Sequence, residues 1–341
     1  MKYKNLIYFQ NGSIGDFLMT IFFLENIHLN DDSIVLNVIV PKNFKFLSQI
    51  AKEYSYLKII LANRKSAKGL LGILSLFRFV FSKNLIITAP TPGKLSLSIK
   101  IIAKKMAFFR GSRLIGFEDG QKINKLIYSK LLKYNTKIIY PDFLKTVIRE
   151  LGFEVKKEIP RLKYNKDENV LAELGLEKGT YIIFNPLAAT QGRSFNQEEI
   201  IEIIDFIKTF PPKIKIILTG GKTDKEILNT FADKAIILIN PDITRLCTLL
   251  DNSKLFIGVD TGTSHLASFL QVKSLVIAIN GTPNWLPYYN SKATILYTID
   301  GCQHGIYEGR EHLESCRGDI LRCLDNVPMI VIEKYLKALS I

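Results

Sequence analysis

A polar turn with the sequence DTGTSH, at residues 260–265, lies between two apolar runs. Its pattern predicts a strand, a tight turn and the first turn of a helix. The free backbone N–H groups and the positive end of the helix dipole at such a turn can hold a phosphate or carboxylate. The alternative is a purely structural role, in which Asp260 or Thr261 only caps the helix. The turn is therefore a candidate anion site that other parts of the chain must support.

A second turn, NGSIGD at residues 11–16, follows the first apolar run and opens the first predicted helix. Gly12 and Gly15 permit close backbone approach, and Asp16 is expected in the first helical turn at the carboxyl edge of a sheet, where ligands of open α/β sheets bind. Ser13 lies between them. The three-glycine spacing of a dinucleotide site is absent, which argues against a nicotinamide cofactor. The alternative role of Asp16 is an interaction with the helix dipole.

Two more loops in the second half follow predicted strands. The loop at residues 185–195, NPLAATQGRSF, has Arg193 near its end, and a guanidinium fork beside backbone donors suits a diphosphate. The alternative is a solvated loop arginine. In the other loop Gly220 ends a strand and Asp224 begins a helix, so Asp224 either accepts hydrogen bonds from ribose hydroxyls or serves as an N-terminal helix acid.

The elements that position these turns alternate between apolar runs of strand length and amphipathic segments of helix length, which is typical of a doubly wound α/β fold. A charged segment at 153–166 separates two such series and predicts a linker. We expect two Rossmann-like domains, at 1–160 and 161–341, that face each other across a cleft, with a last helix that can pack back on the first domain. Strands are predicted at 5–9, 34–40, 58–61, 84–88, 113–117, 181–184, 213–219, 235–238, 255–258 and 275–279, and helices at 15–27, 43–53, 67–81 and 94–106.

Composition limits the partners. The 341 residues include 46 Lys and Arg against 32 Asp and Glu, and the net charge of +14 predicts a polyanionic partner. Zinc-finger spacings and aromatic RNA-binding signatures are absent, so a nucleic acid is not expected. Apolar runs stay below the roughly 18 to 20 residues that a spanning helix needs, and the start of the chain leads into a strand, so a cytoplasmic protein is expected.

The order of these segments resembles glycosyltransferase family nine, the ADP-heptose:lipopolysaccharide heptosyltransferases. The resemblance rests on residues 12–16, on Asn185-Pro186 with Arg193, on 219–221 and most specifically on 260–267 together with 280–283. It implies a GT-B fold, a nucleotide-diphosphate sugar as co-substrate, a phosphorylated glycolipid acceptor in the inner core of lipopolysaccharide or lipooligosaccharide, and inverting transfer without a metal or other cofactor.

The same resemblance assigns roles to single residues. It makes Asp16 the base that takes the acceptor proton, although a helix N-terminus stabilises the ionised carboxylate and so weakens the base. The alternatives are a transferase that uses another donor sugar, an epimerase and a non-catalytic nucleotide-sugar-binding protein. The non-catalytic alternative is favoured by one feature: the family commonly has two adjacent cations in this loop, whereas this chain has only Arg193. The implied diphosphate site is Arg193, Thr261, Gly262 and Thr263, the implied sugar and nucleotide contacts are Asp260, Asp224, Gly220 and His265, and the implied acceptor-side loop is Gly12, Ser13 and Gly15.

His265 has a second interpretation, as a packed and hydrogen-bonded core histidine.

The resemblance implies that no metal is needed. The alternative is a metal site formed by cysteines and histidines near the end of the chain, because thiols and imidazoles within a short span can form a tetrahedral site. Their spacing matches no named motif. The candidates are Cys302, His304, Cys316 and Cys323.

Residues 94–113 interleave lysine and arginine with leucine, isoleucine and phenylalanine. A cationic amphipathic helix of this kind can lie on an anionic membrane surface or receive a phosphorylated lipid core. The alternative is a helix whose apolar face packs on the sheet. With the resemblance, this predicts a protein bound peripherally to the inner face of the inner membrane.

Overall fold

The chain forms two compact units, Met1–Lys163 and Tyr164–Ile341. Each contains one sheet with helices packed on it. A computed structural model describes residues 3–10, 13–41, 44–62, 79, 81–88, 96–107, 111–118, 120–133, 138–189, 193–210, 214–279, 285–287, 289–298, 307–308 and 329–338.

The first unit is a parallel sheet in the order β3-β2-β1-β4-β5-β6. The order reverses between β1 and β4, and this reversal makes a topological switch point, where ligands of open α/β sheets bind. Asp16 follows β1 at this point. The elements are β1 (Asn5–Phe9), α1 (Ile14–Asn30), β2 (Val35–Pro41), α2 (Leu47–Ala51), β3 (Leu57–Ala62), β4 (Asn84–Thr88), α3 (Leu97–Met106), β5 (Arg113–Phe117), α4 (Asn124–Ile127), β6 (Lys130–Leu132) and α5 (Tyr140–Glu150).

The charged segment at 153–166 is predicted from the sequence as a linker. Its first part is bound to α1 by hydrogen bonds and an ion pair. The amide oxygen of Asn26 accepts hydrogen bonds from the backbone N–H groups of Lys156, at 2.9 Å, and Lys157, at 2.8 Å. The Nζ of Lys157 lies 2.7 Å from the carboxylate of Glu25, which is only 4% exposed. A buried carboxylate needs such a cation, so this segment is an ordered part of the first unit.

The second unit repeats the topology with the order β13-β12-β11-β10-β7-β8-β9, in which only the short β13 is antiparallel. Its switch point lies between β7 and β10. The elements are α6 (Val170–Glu173), β7 (Tyr181–Asn185), α7 (Gln197–Ile207), β8 (Lys215–Gly220), a 3₁₀ turn (Lys222–Asp224), α8 (Lys225–Asn229), β9 (Ile236–Ile239), α9 (Ile243–Asn252), β10 (Leu255–Val259), α10 (Gly262–Phe269), β11 (Ser274–Ile279), β12 (Ala293–Thr298), β13 (Tyr307–Glu308) and α11 (Met329–Ala338).

The core of the second unit explains why its strands read as uninterrupted apolar runs. All five residues of β7 and of β10 are buried, as expected for parallel strands covered on both faces. Ile332 and Leu336 of α11 join the same hydrophobic cluster. The last helix therefore packs within the second unit, whereas the sequence allowed that it packs back on the first.

The predicted α/β class with two parallel sheets is confirmed. Some predictions lie outside the described residues: the helix at 67–81 apart from Phe79 and Phe81, the 280–283 motif, Gly12, and the four candidate metal ligands Cys302, His304, Cys316 and Cys323. Within the described part of the chain, no helix is both long and apolar enough to cross a bilayer.

Candidate functional site

The predicted anion-binding residues of the second unit lie at its switch point. β7 ends at Asn185 and its neighbour β10 ends at Val259, while β8 pairs with the other side of β7. Parallel strands bring their carboxyl ends to one edge of the sheet, so the loops that follow these strands meet there. The contacts below join three of those loops.

Arg193 and Asp260 are in direct contact. The Nη2 atom of Arg193 donates to the carboxylate of Asp260 at 2.6 Å and lies 2.9 Å from the backbone oxygen of the same residue. The pair is partly buried, with Asp260 more so than Arg193. The Nε atom of Arg193 is buried and has no hydrogen-bond partner among the described residues. A guanidinium held at one end by a carboxylate thus keeps a desolvated donor for an anion.

The turn that follows Asp260 begins helix α10. The backbone N–H of Thr261 donates to the hydroxyl of Ser264 at 3.1 Å, and that hydroxyl donates back to the carbonyl of Thr261 at 2.7 Å. These bonds close the loop, and the backbone N–H groups of Gly262 and Thr263 fall in the first helical turn, where they have no intrahelical acceptor. Of the predicted diphosphate residues, Arg193 contacts Asp260 at the start of this turn, Gly262 and Thr263 have N–H groups free of an intrahelical acceptor, and the N–H of Thr261 is already bonded to Ser264.

Asn185 connects the three loops and was not predicted as a site residue. Its buried amide nitrogen donates to the carbonyl of Thr219 at 2.7 Å, and its amide oxygen accepts from the hydroxyl of Thr261 at 2.8 Å. The signal in the sequence is a single polar residue at the end of an otherwise apolar strand, YIIFN. Asn185 thereby fixes the start of the α10 turn against β8.

Gly258 lets β10 approach β7 closely. A Cβ atom at this position would lie 2.8 Å from the backbone oxygen of Asn185 and 2.7 Å from the ring of Phe256. The first of these contacts is with backbone, which cannot move aside easily. Close packing of the two strands therefore requires glycine at position 258, and a larger residue there would displace Asn185.

Replacement of Asn185 by alanine is expected to loosen the α10 turn and to weaken the binding of a nucleoside diphosphate about 10-fold. It leaves the carbonyl of Thr219 and the hydroxyl of Thr261 without their partner, at a cost of about 1–3 kcal/mol in the free energy of unfolding. The measurements are calorimetric titration with ADP and denaturant unfolding. Asn84→Ala is the control, since Asn84 is buried in the first unit. Equal loss of ADP affinity in both variants would contradict the positioning role.

His265 is hydrogen-bonded on one side and faces Asp260 on the other. Its Nδ1 lies 2.9 Å from the hydroxyl of Tyr289, and its Nε2 lies 3.6 Å from the carboxylate of Asp260. Burial, and then the charge of Asp260, raise the pKa of Tyr289 well above its ordinary value. Tyr289 stays a neutral phenol that can donate to His265. The Nδ1 atom of His265 is thus used in a packing contact with Tyr289, whereas its Nε2 atom faces Asp260 of the candidate site.

Asp224 and Gly220 form a local cap. The Oδ2 atom of Asp224 accepts a hydrogen bond from the backbone N–H of Gly221 at 2.7 Å. A Cβ atom at Gly220 would lie 2.7 Å from that same oxygen, so a larger residue there would displace the side chain of Asp224 from the cap. The role of Asp224 as an N-terminal acid is realised, and its contact with a ribose stays a prediction.

In the first unit Asp16 lies half-buried at the start of α1, at the other switch point. Its Oδ2 atom accepts hydrogen bonds from the backbone N–H of Ser13 at 2.7 Å and from the Ser13 hydroxyl at 3.2 Å. These bonds stabilise the ionised carboxylate and fix its orientation. The hydroxyl of Thr20 lies 2.9 Å from the backbone oxygen of Asp16 and 2.6 Å from the amide oxygen of Gln10, which is buried at the end of β1.

The remaining site predictions concern the two glycines of the acceptor-side loop and a metal site. Gly15 is buried in the first turn of α1, and Gly12 lies outside the described residues. Among the side chains that the structure describes, no group of three or more His, Cys, Asp or Glu residues could hold a metal ion. The one cysteine in that part of the chain, Cys247, is buried, and burial raises the pKa of its thiol.

The chain thus has two Rossmann-like units, with a candidate anion-binding edge in the second and a capped carboxylate in the first. The family model of glycosyltransferase family 9 (heptosyltransferase) matches residues 85–312, which is more than half of the 341 residues. The chain therefore belongs to glycosyltransferase family 9, and it is a glycosyltransferase. A comparison with curated protein sequences finds no match.

Solved structures share the fold at low identity. E. coli heptosyltransferase WaaC with ADP-2-deoxy-2-fluoro heptose is 14% identical, with a TM-score of 0.67 over 98% of this chain and 99% of that one. E. coli ADP-heptose lps heptosyltransferase II is 13% identical, with a TM-score of 0.69 over 98% of each chain. The iron-containing dodecameric glycosyltransferase TibC of enterotoxigenic E. coli is 14% identical, with a TM-score of 0.56 over 99% of this chain and 77% of that one. The chain thus has the fold of GT-B heptosyltransferases.

Proposed function

We propose that the protein is an inverting heptosyltransferase that moves a heptose from ADP-heptose to the inner core of lipopolysaccharide or lipooligosaccharide. The family membership supports heptosyl transfer. One similar E. coli structure is WaaC with ADP-2-deoxy-2-fluoro heptose, and another is ADP-heptose lps heptosyltransferase II. The observation that carries the proposal is the partly buried contact between Arg193 and Asp260 beside the N-terminus of α10.

The donor diphosphate is proposed to bind at this edge of the second unit. The unpartnered Nε atom of Arg193 supplies one donor, and the N–H groups of Gly262 and Thr263 supply others. Negative charge on the leaving nucleotide grows as the bond to the sugar breaks. Fixed donors that point at this charge stabilise the transition state without reorganisation. Asp260 holds the arginine, and with His265, Asp224 and Gly220 it is proposed to contact the sugar or nucleotide.

Asp16 is proposed to act as the general base. It takes the proton from an acceptor hydroxyl, whose oxygen forms a bond to the anomeric carbon of the heptose. The bond between that carbon and the phosphate oxygen breaks, and ADP leaves with the electron pair. A positioned base of this kind contributes about 10²- to 10⁴-fold to the rate. Ser13 orients the carboxylate, and Gly12 and Gly15 are proposed to shape the acceptor-side loop.

The acceptor is proposed to be a phosphorylated glycolipid on the cytoplasmic face of the inner membrane. The net charge of +14 supports an anionic acceptor and an anionic membrane surface. A lipid-anchored acceptor brings the enzyme to that surface as a peripheral protein.

The test is a transfer assay with ADP-heptose and an inner-core acceptor that lacks heptose, read by mass spectrometry. The proposal predicts an acceptor heavier by one heptosyl residue and release of ADP. Transfer from another nucleotide sugar, conversion of the donor without transfer, or binding of ADP-heptose without turnover would each contradict it and point to the corresponding alternative.

Transfer is expected to need no metal, because Arg193 and the N-terminus of α10 can offset the charge of the leaving diphosphate. The measurement is the transfer rate after removal of divalent and ferric ions with a chelator, with the metal content determined alongside. The proposal predicts an unchanged rate. A rate that falls with the chelator and returns with iron would contradict it and direct attention to Cys302, His304, Cys316 and Cys323.

A further inference from the structure

Helix α3 presents an unusual outward face. The residues at positions 97, 101, 104 and 105 follow helical spacing on the side opposite to the buried Lys100, Ala103 and Met106. Leu97 is 45% exposed and Ile101 is 44% exposed, while Lys104 and Lys105 are exposed as well. A helix that packs on a sheet normally presents polar residues to water, so two exposed aliphatic side chains beside two lysines require an explanation.

The neighbouring α4 segment continues this pattern. Ile123 is 38% exposed and Leu126 is 78% exposed, and the adjacent Lys122 and Lys125 are exposed as well. No acidic residue occurs in residues 96–107 or 120–127. We call the exposed residues of α3 and of residues 122–126 the lysine–leucine surface: Leu97, Ile101, Lys104 and Lys105 with Lys122, Ile123, Lys125 and Leu126.

A buried contact holds the two segments together. The Nζ atom of Lys100 donates to the amide oxygen of Asn124 at 2.5 Å, and both residues are buried. Met106 of α3 and Ile127 of α4 belong to one hydrophobic cluster, so both helices cover the same face of the sheet. Their opposite sides therefore point outward as neighbours, in a defined arrangement.

We propose that the lysine–leucine surface docks the protein on an anionic lipid bilayer. Lysines at a membrane surface interact with anionic headgroups, and aliphatic side chains enter the boundary of the acyl chains. A nucleic acid would engage the lysines but leave four exposed leucines and isoleucines in water, so it fits half of the surface. The inference extends the proposed function by assigning the membrane contact to particular residues.

The test is cosedimentation of the full-length protein with vesicles of phosphatidylglycerol and phosphatidylethanolamine, and with vesicles of phosphatidylcholine alone. Binding to the anionic vesicles is expected to exceed binding to phosphatidylcholine. Lys104→Gln with Lys105→Gln is expected to lower the partition coefficient about 10- to 30-fold, since each lysine near an anionic surface contributes about 1 kcal/mol. Ile101→Ser with Leu126→Ser is expected to lower it about 10-fold by removing the aliphatic contacts.

Matched controls come from exposed residues of the second unit. Lys178→Gln with Lys208→Gln, and Ile201→Ser with Ile227→Ser, change the same residue types elsewhere and should leave vesicle binding unchanged. Unfolding temperatures of all variants check the fold. Equal binding to both vesicle types, or equal loss in the control and surface variants, would overturn the proposal. The vesicles contain no sugar acceptor, so this result is independent of whether heptose is transferred.

Discussion

Asp16→Asn is expected to lower kcat for heptosyl transfer about 10²- to 10⁴-fold, which is the usual contribution of a positioned general base. The amide oxygen of asparagine can still accept the hydrogen bond from the backbone N–H of Ser13, so the start of α1 keeps its geometry. Loss of the negative charge at the helix N-terminus costs about 0.3–1 kcal/mol in the free energy of unfolding. The affinity for ADP should be unchanged, because the proposed donor contacts lie in the second unit.

Glu199→Gln is the matched control. Glu199 occupies the same position in α7 that Asp16 occupies in α1, and its carboxylate accepts a hydrogen bond from the backbone N–H of Asn196 at the same 2.7 Å. If the only role of Asp16 is to cap its helix, the two variants should lose similar stability and similar activity. A near-normal kcat in Asp16→Asn would remove Asp16 from the mechanism.

Arg193→Ala is the second large effect, with an expected loss of about 10- to 100-fold in affinity for ADP. A hydrogen bond to a charged group contributes about 1.5–3 kcal/mol, and the variant also leaves the partly buried carboxylate of Asp260 without its arginine partner. Arg193→Lys should restore only part of the affinity, because an ammonium group lacks the fork that spans Asp260 and a phosphate. Calorimetric titration with ADP measures both.

Arg245→Ala provides the comparison for Arg193. The Nη1 atom of Arg245 lies 2.7 Å from the carboxylate of Glu173, in the same unit, and this pair differs from Arg193–Asp260 in that its carboxylate is exposed. Such pairs contribute about 0–1 kcal/mol to stability and should contribute nothing to ADP binding. An Arg193→Ala variant that binds ADP as tightly as Arg245→Ala does would place the diphosphate elsewhere.

Most strands of the two sheets could be predicted from the sequence because parallel strands covered on both faces read as uninterrupted apolar runs. Residues 5–9, 84–88 and 113–117 were predicted with the bounds that the structure has. The three-residue β6 was not predicted, since KLL is too short to show a pattern, and β12 follows a segment without a periodic signal. The turns after the strands were predicted because polar residues and glycines interrupt apolar runs there.

The contacts within the site could not be predicted, because they depend on which strands are neighbours. β7 and β10 are far apart in the chain, and only the observed sheet order brings Asn185 to Thr261 and Arg193 to Asp260. The exposed face of α4 was missed for a related reason. Its four residues are too few for an amphipathic pattern, and only the packing of Asn124 on Lys100 reveals which side faces water.

The most direct test of the account is a crystal structure of the protein with ADP or an unreactive ADP-sugar. The account predicts diphosphate oxygens about 2.7–3.2 Å from the guanidinium of Arg193 and from the backbone N–H groups of Gly262 and Thr263. A diphosphate bound away from these groups, with Arg193 still paired only to Asp260, would contradict it.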